Sequence, residues 1–190
     1  REQVRLAGLE LALQSRERRV NELEALVARK DSLAAYFKNR ISQALLGFEG
    51  RGLTVTLKDG QVHVSMDNRL LFASGQWTVQ PEGAKALAEL ASVLKENSDL
   101  NVSVEGHTDG DAFHGRGQVI DNWDLSVMRA TSVVKILTSK GMSPAMVQAA
   151  GRGEHHPIAA NDSAENKAKN RRTDIIITPN YGEIAALLGQ

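Results

Sequence analysis

The N-terminal part of the chain places apolar residues at helical spacing. Steps of three and four residues give a stripe that is apolar apart from two basic positions: Leu6, Leu9, Leu13, Arg16, Val20, Leu23, Val27, Lys30, Ala34, Phe37, Ile41 and Ala44. Such a stripe is typical of a heptad seam. Before Gly47 the segment contains no proline and a single glycine, Gly8. The pattern predicts that residues 1–47 form a coiled-coil helix.

A solitary helix with this stripe would leave its apolar seam in water. The stripe is narrow and is flanked by Glu and Arg, unlike the broad apolar face of a helix that packs on a core. We therefore expect residues 1–47 to pair with a second copy of the chain as a homodimer. A helix folded back on its own domain is the alternative.

After Gly47 the pattern changes to alternating apolar and polar residues. LTVTLKDGQVHVSM alternates on both sides of Asp59-Gly60, which predicts two strands joined by a type I′ turn. Pro81 is suited to the first turn of a helix, which we expect to end near Asn97. The apolar face of that helix is predicted to be Ala84, Leu87, Ala91 and Leu94.

The C-terminal half alternates strand and helix patterns. LNVSVEG, at residues 100–106, predicts a strand, and DLSVMRATSVVKILTSKG predicts a helix capped by Asn122 or Asp124 and followed by Gly141. The apolar positions of this helix are Leu125, Met128, Val133 and Leu137. VQAAGRG and TDIIIT are further strand candidates, and the apolar run in the second predicts a central strand. The order predicts an α/β sandwich with helices on one face.

Composition and charge restrict the function classes. The chain has 23 basic and 23 acidic side chains, four Phe, two Trp and two Tyr. Nucleic-acid binding is not expected, because a basic field and aromatic stacking surfaces are both lacking. Cysteine is absent, which excludes thiolate catalysis and disulfides. No apolar run could span a bilayer, and the chain begins at Arg1 without a leader, so we expect a membrane anchor upstream of it.

The densest polar chemistry lies in GHTDGDAFHGRGQVIDNWDLSVMRAT, residues 106–131. This stretch joins a strand to a helix through a long loop, and loops of more than about 12 residues are usually functional. Asp109 lies just past the strand, and the Arg129 side chain leans towards the N-terminus of its helix. We expect both charges at the rim of one recess, where helix N–H groups add donors for an anion. Such a pair suits a ligand with an ammonium and a carboxylate close together.

Other chemistry in the same region has weaker support. His107, Asp109, Asp111 and His114 could be metal ligands, but their spacing is irregular and a zinc site needs a fixed geometry. Gly151-Arg152-Gly153 lacks the Lys and Ser/Thr of a phosphate loop. A nucleophile elbow and a pair of carboxylates for acid-base hydrolysis are also missing. We expect no metal, no cofactor and no catalytic residue.

Four ordered motifs resemble those of a known family. HTD follows a strand, NWDLSVMRA opens the next helix, GRGEHHPIAAN follows another strand, and KNRRTDIII ends the pattern. Over roughly residues 62–179 they resemble the OmpA-like peptidoglycan-binding domain. The NWDLS wording and the longer loop after Asp109 are similar to MotB-like members. Phe72-Ala73 departs from the pattern, since many members have Phe-Asp there.

The resemblance implies a fold and a domain organisation. The fold would be a two-layer α/β sandwich, with a mixed β-sheet and helices on one face, over residues 48–182. A coiled-coil helix would precede it, and residues 183–190 would form a tail.

The resemblance also implies a ligand and the residues that hold it. The domain would bind the stem peptide of peptidoglycan non-covalently through its diaminopimelate, with Asp109 taking the ammonium and Arg129 the carboxylate. Thr108, Asn122 and Leu125 match positions that shape the pocket. Arg171 or Arg172 would close its far side.

These implications predict a wall-binding module that is not an enzyme. It would lie in the periplasm of a didermic bacterium, attached to the outer or inner membrane by a segment upstream of Arg1. Two alternatives remain open: a MotB-like stator subunit of a motor, and a metal-dependent cell-wall hydrolase that uses the cluster at residues 107–114.

Overall fold

The computed structural model describes residues 1–97, 99–115 and 117–180. These residues divide into two compact units, residues 1–33 and residues 34–180. Within the described ranges, none of the helices combines the length and apolar character needed to cross a membrane. The tail predicted at residues 183–190 lies outside the described residues.

The N-terminal segment forms a single helix, α1 (Glu2–Ala44), as predicted. In the unit of residues 1–33 the stripe is exposed at Leu6, Leu9, Leu13, Val20, Leu23 and Val27. The end of the helix belongs to the second unit, where the buried positions are Ala34, Phe37, Ile41 and Leu45. One stripe therefore serves two environments: its last part belongs to a domain core, and the rest is exposed to solvent in the described chain.

Five strands form one sheet in the order β1-β2-β5-β3-β4. Their bounds are β1 (Leu53–Lys58), β2 (Gln61–Asp67), β3 (Leu100–Gly106), β4 (Val147–Gly151) and β5 (Arg172–Pro179). β3 and β4 are parallel, and the other pairs are antiparallel. β5 lies in the middle of the sheet, so the central position predicted from its apolar run is confirmed.

The β1–β2 hairpin has the predicted two-residue turn. Lys58 pairs with Gln61 across it, and both turn residues have positive φ, 52° for Asp59 and 71° for Gly60. Positive φ at both positions defines the type I′ turn, whose twist matches that of the paired strands.

The helices of the second unit are α2 (Asn68–Leu71), α3 (Pro81–Leu94), α4 (Asn122–Ser139) and α5 (Ala164–Asn170). Helix α3 begins at Pro81 as predicted but ends at Leu94 rather than near Asn97. Ala84 is only half-buried. The buried positions of α3 are Gly83, Ala86, Leu87, Leu90, Ala91, Val93 and Leu94.

The cap of α4 differs from the prediction. The Asp121 carboxylate accepts a hydrogen bond from the backbone N–H of Asp124 at 3.0 Å, so Asp121 is the cap rather than Asn122 or Asp124. Asn122 is buried instead, and its side-chain amide donates to the carbonyl of Asp111 at 2.9 Å. Met128, predicted on the apolar face, is half-buried.

Alternate strand residues share one hydrophobic core with α3, α4 and the end of α1. In β2, for example, Val62, Val64 and Met66 are buried, and the residues between them are half-buried and mostly polar. Helices therefore cover one face of the mixed sheet, which confirms the predicted two-layer α/β fold.

Helix α4 lies very close to the ends of β3 and β4. A Cβ atom on Gly106 would overlap the carbonyl oxygen of Ser126 and lie 2.9 Å from its carbonyl carbon, and one on Gly151 would lie 2.5 Å from Ser126 Oγ. Real Cβ atoms do not tolerate such approaches. The two glycines thus set the distance between the helix that carries Arg129 and the strand that precedes Asp109.

Candidate ligand-binding recess

A recess of about 560 Å³ opens where β3 ends and α4 begins. It is lined by the loop after β3, the start of α4 and the segment after β2. Six of the seven residues predicted for the site are among them: Thr108, Asp109, Asn122, Leu125, Arg129 and Arg171. The long loop between β3 and α4 adds Asp111, Ala112 and Phe113.

The Asp109 side chain is buried, with the residue only 7% exposed. Its Oδ2 accepts a hydrogen bond from Arg171 Nη1 at 2.5 Å, and its Oδ1 accepts one from the backbone N–H of Asp111 at 3.1 Å. A carboxylate has about four acceptor sites. The group is therefore held in place and can still accept a donor from a ligand.

Arg129 is a buried cation with a free end. The residue is 5% exposed, its Nε donates to the carbonyl of Gln76 at 2.9 Å, and its guanidinium carbon lies 5.2 Å from the Phe72 ring centroid. Neither terminal nitrogen bonds to an acceptor in the described chain. Burial lowers the pKa of Arg129 to about 10, while the charge of Asp109 opposes that shift and the charge of Arg171 adds to it. The group stays protonated at neutral pH and offers two donor nitrogens to the recess.

The two predicted anchors share one recess, where Asp109 hydrogen-bonds to Arg171 and Arg129 to the carbonyl of Gln76. Their arrangement differs from the expectation in one respect, because both anchors are buried rather than placed at the rim. Arg129 is buried because the segment after β2 contacts it through Phe72 and Gln76. The spacing of apolar residues in α4 does not predict that contact.

Arg171 and Arg172 project to opposite sides of the chain. Arg171 enters the recess. Arg172 lies outside it and is buried, with its Nε donating to Asp174 Oδ2 at 2.9 Å and its Nη2 to the carbonyl of His156 at 3.3 Å. Successive side chains of an extended backbone alternate in direction, so only one of the two arginines can reach the ligand space.

The structure does not bring the four candidate metal ligands together. His107 is buried, and its Nε2 lies 3.4 Å from Asp174 Oδ2 and 3.9 Å from Glu105 Oε2, away from the recess that contains Asp109. Burial, with the nearby charge of Arg172, lowers the pKa of His107 to about 4, so the imidazole is neutral at neutral pH. His114 is exposed on the loop.

Several residues of the recess were not expected from the sequence. Phe72 and Gln76 fix Arg129, and Phe113 lies close to Gly75, in the same segment after β2. Lys167, on the unpredicted helix α5, forms a 2.7 Å ion pair with Asp111 at the mouth of the recess. A backbone carbonyl such as that of Gln76 leaves no sign in the sequence. The aromatic Phe72 in an apolar run was the one available signal.

Comparison with known proteins identifies sequence relatives. The profile of the OmpA family matches residues 71–171. Probable lipoprotein YiaD of Escherichia coli K12 is 37% identical over 68% of this chain and 57% of its own length. Motility protein B of Bacillus subtilis is 34% identical over 67% of this chain and 46% of its own length. Peptidoglycan-associated lipoprotein of Buchnera aphidicola is 31% identical over 73% of this chain and 75% of its own length. The chain spans about half the length of the first two relatives.

Two solved structures share the fold. A protein described as MotB-like from Desulfovibrio vulgaris superposes with a TM-score of 0.75 at 25% identity, covering 80% of this chain and 98% of that one. The cell wall anchor of the type VI secretion system (T6SS) from Pseudomonas aeruginosa gives a TM-score of 0.68 at 28% identity, covering 74% and 98%.

Proposed function

The chain belongs to the OmpA family, and from this premise we propose that its recess binds the stem peptide of peptidoglycan non-covalently, through diaminopimelate. One observation carries the proposal. A buried guanidinium, Arg129, has two terminal nitrogens that bond to no acceptor among the described residues, and it shares the recess with a buried carboxylate, Asp109. Buried charges need partners. A ligand carboxylate would supply one for Arg129, and a ligand ammonium would add to the bond that Asp109 already accepts from Arg171.

The free end of diaminopimelate carries these two groups on one carbon. Its carboxylate would accept two parallel hydrogen bonds from Arg129, a geometry that suits a guanidinium. Its ammonium would donate to the open acceptor sites of Asp109. Thr108, Asn122 and Leu125 would form the walls, and Arg171 would hold Asp109 in position. Burial strengthens both charge contacts, because water screens them less.

The names of the relatives support a role in attachment. One relative is called peptidoglycan-associated, and one structural neighbour is a cell wall anchor. We propose that the chain is likewise a periplasmic wall-binding module and not an enzyme. A membrane anchor upstream of Arg1 would complete a tether, as a lipoprotein or as a MotB-like stator subunit. The sequence upstream separates the two, since a lipobox cysteine marks a lipoprotein and an apolar span marks a stator.

Binding to the wall can be tested with isolated sacculi. The chain is expected to co-pellet with them, and Asp109→Asn or Arg129→Gln is expected to lower the bound fraction at least tenfold. Each substitution removes one charge of a buried contact, a loss that commonly costs about 2–5 kcal/mol. Asp109→Asn keeps the size of the side chain and Arg129→Gln keeps most of its aliphatic part, whereas alanine would remove more of the packing around two buried side chains.

Arg40→Gln is the matched control. Arg40 pairs with Glu96 at 2.8 Å on the surface of the same unit and does not line the recess, so its loss should leave pelleting unchanged. Full pelleting by both recess variants, with circular dichroism reporting folded protein, would refute the proposed pocket. Release of soluble muropeptides from the sacculi would instead favour the alternative of a metal-dependent wall hydrolase.

We also propose that the exposed stripe of α1 pairs with a second copy of the chain. Six apolar positions of the predicted stripe, from Leu6 to Val27, are exposed in the described structure, and an apolar seam of this length is stable in water only when it is covered. The chain should therefore sediment as a dimer, and Leu23→Lys should shift it towards monomer by placing like charges on both helices.

The domain boundary gives this test its control. A chain starting at Ala34 keeps the helical residues that belong to the second core, and it should be a folded monomer. A chain starting after residue 47 would lose those core residues and confuse unfolding with dissociation. Equal sedimentation of the full chain, the Leu23→Lys variant and the shortened chain would rule out pairing through the stripe.

A further inference from the structure

Trp123 lies in the first turn of α4 with 49% of the residue exposed. Its indole stacks on the imidazole of His155, with ring centroids 4.9 Å apart and 29° between the planes. Large aromatic side chains are seldom left in water without a role, and exposed tryptophans concentrate at binding surfaces. The indole therefore packs on His155, and about half of the Trp123 residue is exposed to solvent.

The stack is held by contacts on both sides. The Ser126 hydroxyl donates to the carbonyl of Trp123 at 2.9 Å and accepts from the backbone N–H of Gly153 at 3.1 Å. A Cβ on Gly153 would lie 3.6 Å from the indole and 3.5 Å from the imidazole of His155. The loop after β4 and the start of α4 are therefore joined beneath the two rings, and the aromatic surface is rigid.

This surface lies beside the recess. Trp123 directly follows Asn122, which lines the recess. The backbone N–H of Thr108, another lining residue, donates to the carbonyl of Gly153 at 2.9 Å. Recess and aromatic surface thus flank the same helical turn. A helix with its side chains is about 10–12 Å wide, and three extended residues span about 10 Å.

The chemistry around the rings favours an uncharged, hydroxyl-rich partner. The acidic residues Asp121, Asp124 and Glu154 lie near the rings along the chain, and the basic Arg152 is paired with Glu105 at 3.2 Å. Carboxylates accept hydrogen bonds and repel anions, whereas a pyranose ring offers hydroxyl donors at its edge and polarised C–H groups on its apolar face. An aromatic face is electron-rich and matches those C–H groups.

We propose that Trp123, supported by His155, is a second subsite that stacks on a pyranose ring of the glycan strand. This inference rests on the proposed function, because it takes the stem peptide to fill the recess. A stem peptide is covalently attached to the glycan, so the ligand that places diaminopimelate near Asp109 carries its own sugar within a few residues of it. Asn122 of the recess and Trp123 are consecutive residues at the start of α4, so one ligand can contact both subsites.

The test compares two soluble probes by calorimetry: a disaccharide-tripeptide muropeptide with diaminopimelate, and the same tripeptide without sugar. The full chain should bind the muropeptide about 3- to 10-fold more tightly, the increment typical of one aromatic contact. Trp123→Ala should remove this difference and leave tripeptide affinity unchanged, and Trp123→Phe should keep most of it. Ile158→Ala, at another exposed apolar residue (63%), is the control and should change neither affinity.

The outcomes separate the two proposals. Equal affinity of the full chain for both probes, or equal weakening of both by Trp123→Ala, overturns the glycan subsite and leaves the recess standing. Absence of tripeptide binding overturns the recess, and Trp123-dependent binding of the muropeptide would then still support the subsite. Binding of neither probe overturns both.

Discussion

A stem peptide with lysine in place of diaminopimelate will bind at least 30-fold more weakly. Lysine presents the same ammonium to Asp109 but has no carboxylate for Arg129. Arg129 is only 5% exposed. With the lysine peptide bound, the two terminal nitrogens of its guanidinium would stay without an acceptor inside the recess. Leaving one member of a buried charged pair unmatched commonly costs about 2–5 kcal/mol, which is roughly 30-fold to several thousand-fold in affinity. Calorimetry with the two peptides measures the ratio.

Changing both Arg129 and the peptide tests whether the contact between Arg129 and the diaminopimelate carboxylate is responsible. In Arg129→Gln the two peptides should bind with nearly equal affinity, because the residue that distinguishes them is gone. Amidation of the diaminopimelate carboxylate should weaken binding to the unsubstituted chain in the same direction. Salt should have a modest effect, since recessed charges are screened less than surface charges. Similar affinities for both peptides in the unsubstituted chain would show that Arg129 does not recognise the carboxylate.

Gly106→Ala should destabilise the second unit by about 3 kcal/mol, at the upper end of the overpacking range. The new methyl group would overlap the backbone of Ser126, and backbone in the middle of a helix cannot move aside as a side chain can. For a domain of this size the melting temperature should fall by about 6–12 °C, at roughly 2–4 °C per kcal/mol. Thermal unfolding followed by circular dichroism measures the shift.

Gly47→Ala is the control, since a Cβ there meets nothing within 4 Å, and its melting temperature should stay close to that of the unsubstituted chain. Because Gly106 precedes the recess loop and Ser126 lies on the recess helix, the folded fraction of Gly106→Ala should also bind sacculi less well. An unchanged melting temperature for Gly106→Ala would mean that α4 is not held against β3 as closely as the structure indicates.

The elements predicted correctly are those with strong local signals. The two positive-φ residues Asp59-Gly60, the helix start at Pro81 and the apolar run of β5 each determine their structure within a few residues. The short helices α2 and α5 were missed because fewer than two turns display too few periods to be recognised. The cap of α4 was predicted one or three residues too late, at Asn122 or Asp124, because both are good cap residues and the sequence does not show that Asp121 accepts the Asp124 N–H.

For the candidate site, the sequence was enough to predict that Asp109 and Arg129 share one recess. Asp109 follows the end of a strand, and the Arg129 side chain leans towards the N-terminus of its helix. The sequence was not enough to show that Arg171 holds Asp109, or that the carbonyl of Gln76 and the ring of Phe72 bury Arg129. Those contacts join segments far apart in the chain, and one of them uses a backbone atom that every residue possesses. The alternation that separates Arg171 from Arg172 required the register of β5.

The hydrogen bond from Arg171 to Asp109 determines how the recess would respond to a ligand. An arriving ammonium meets a carboxylate that already has a cationic partner, so it joins Arg171 on Asp109 and neutralises no bare charge. The ammonium then gains less free energy than it would from an unpaired carboxylate, which keeps the affinity of one domain modest and its dissociation fast. A single domain would dissociate readily from the wall. Two domains joined through paired α1 helices would stay attached by avidity, because one remains bound while the other dissociates and rebinds.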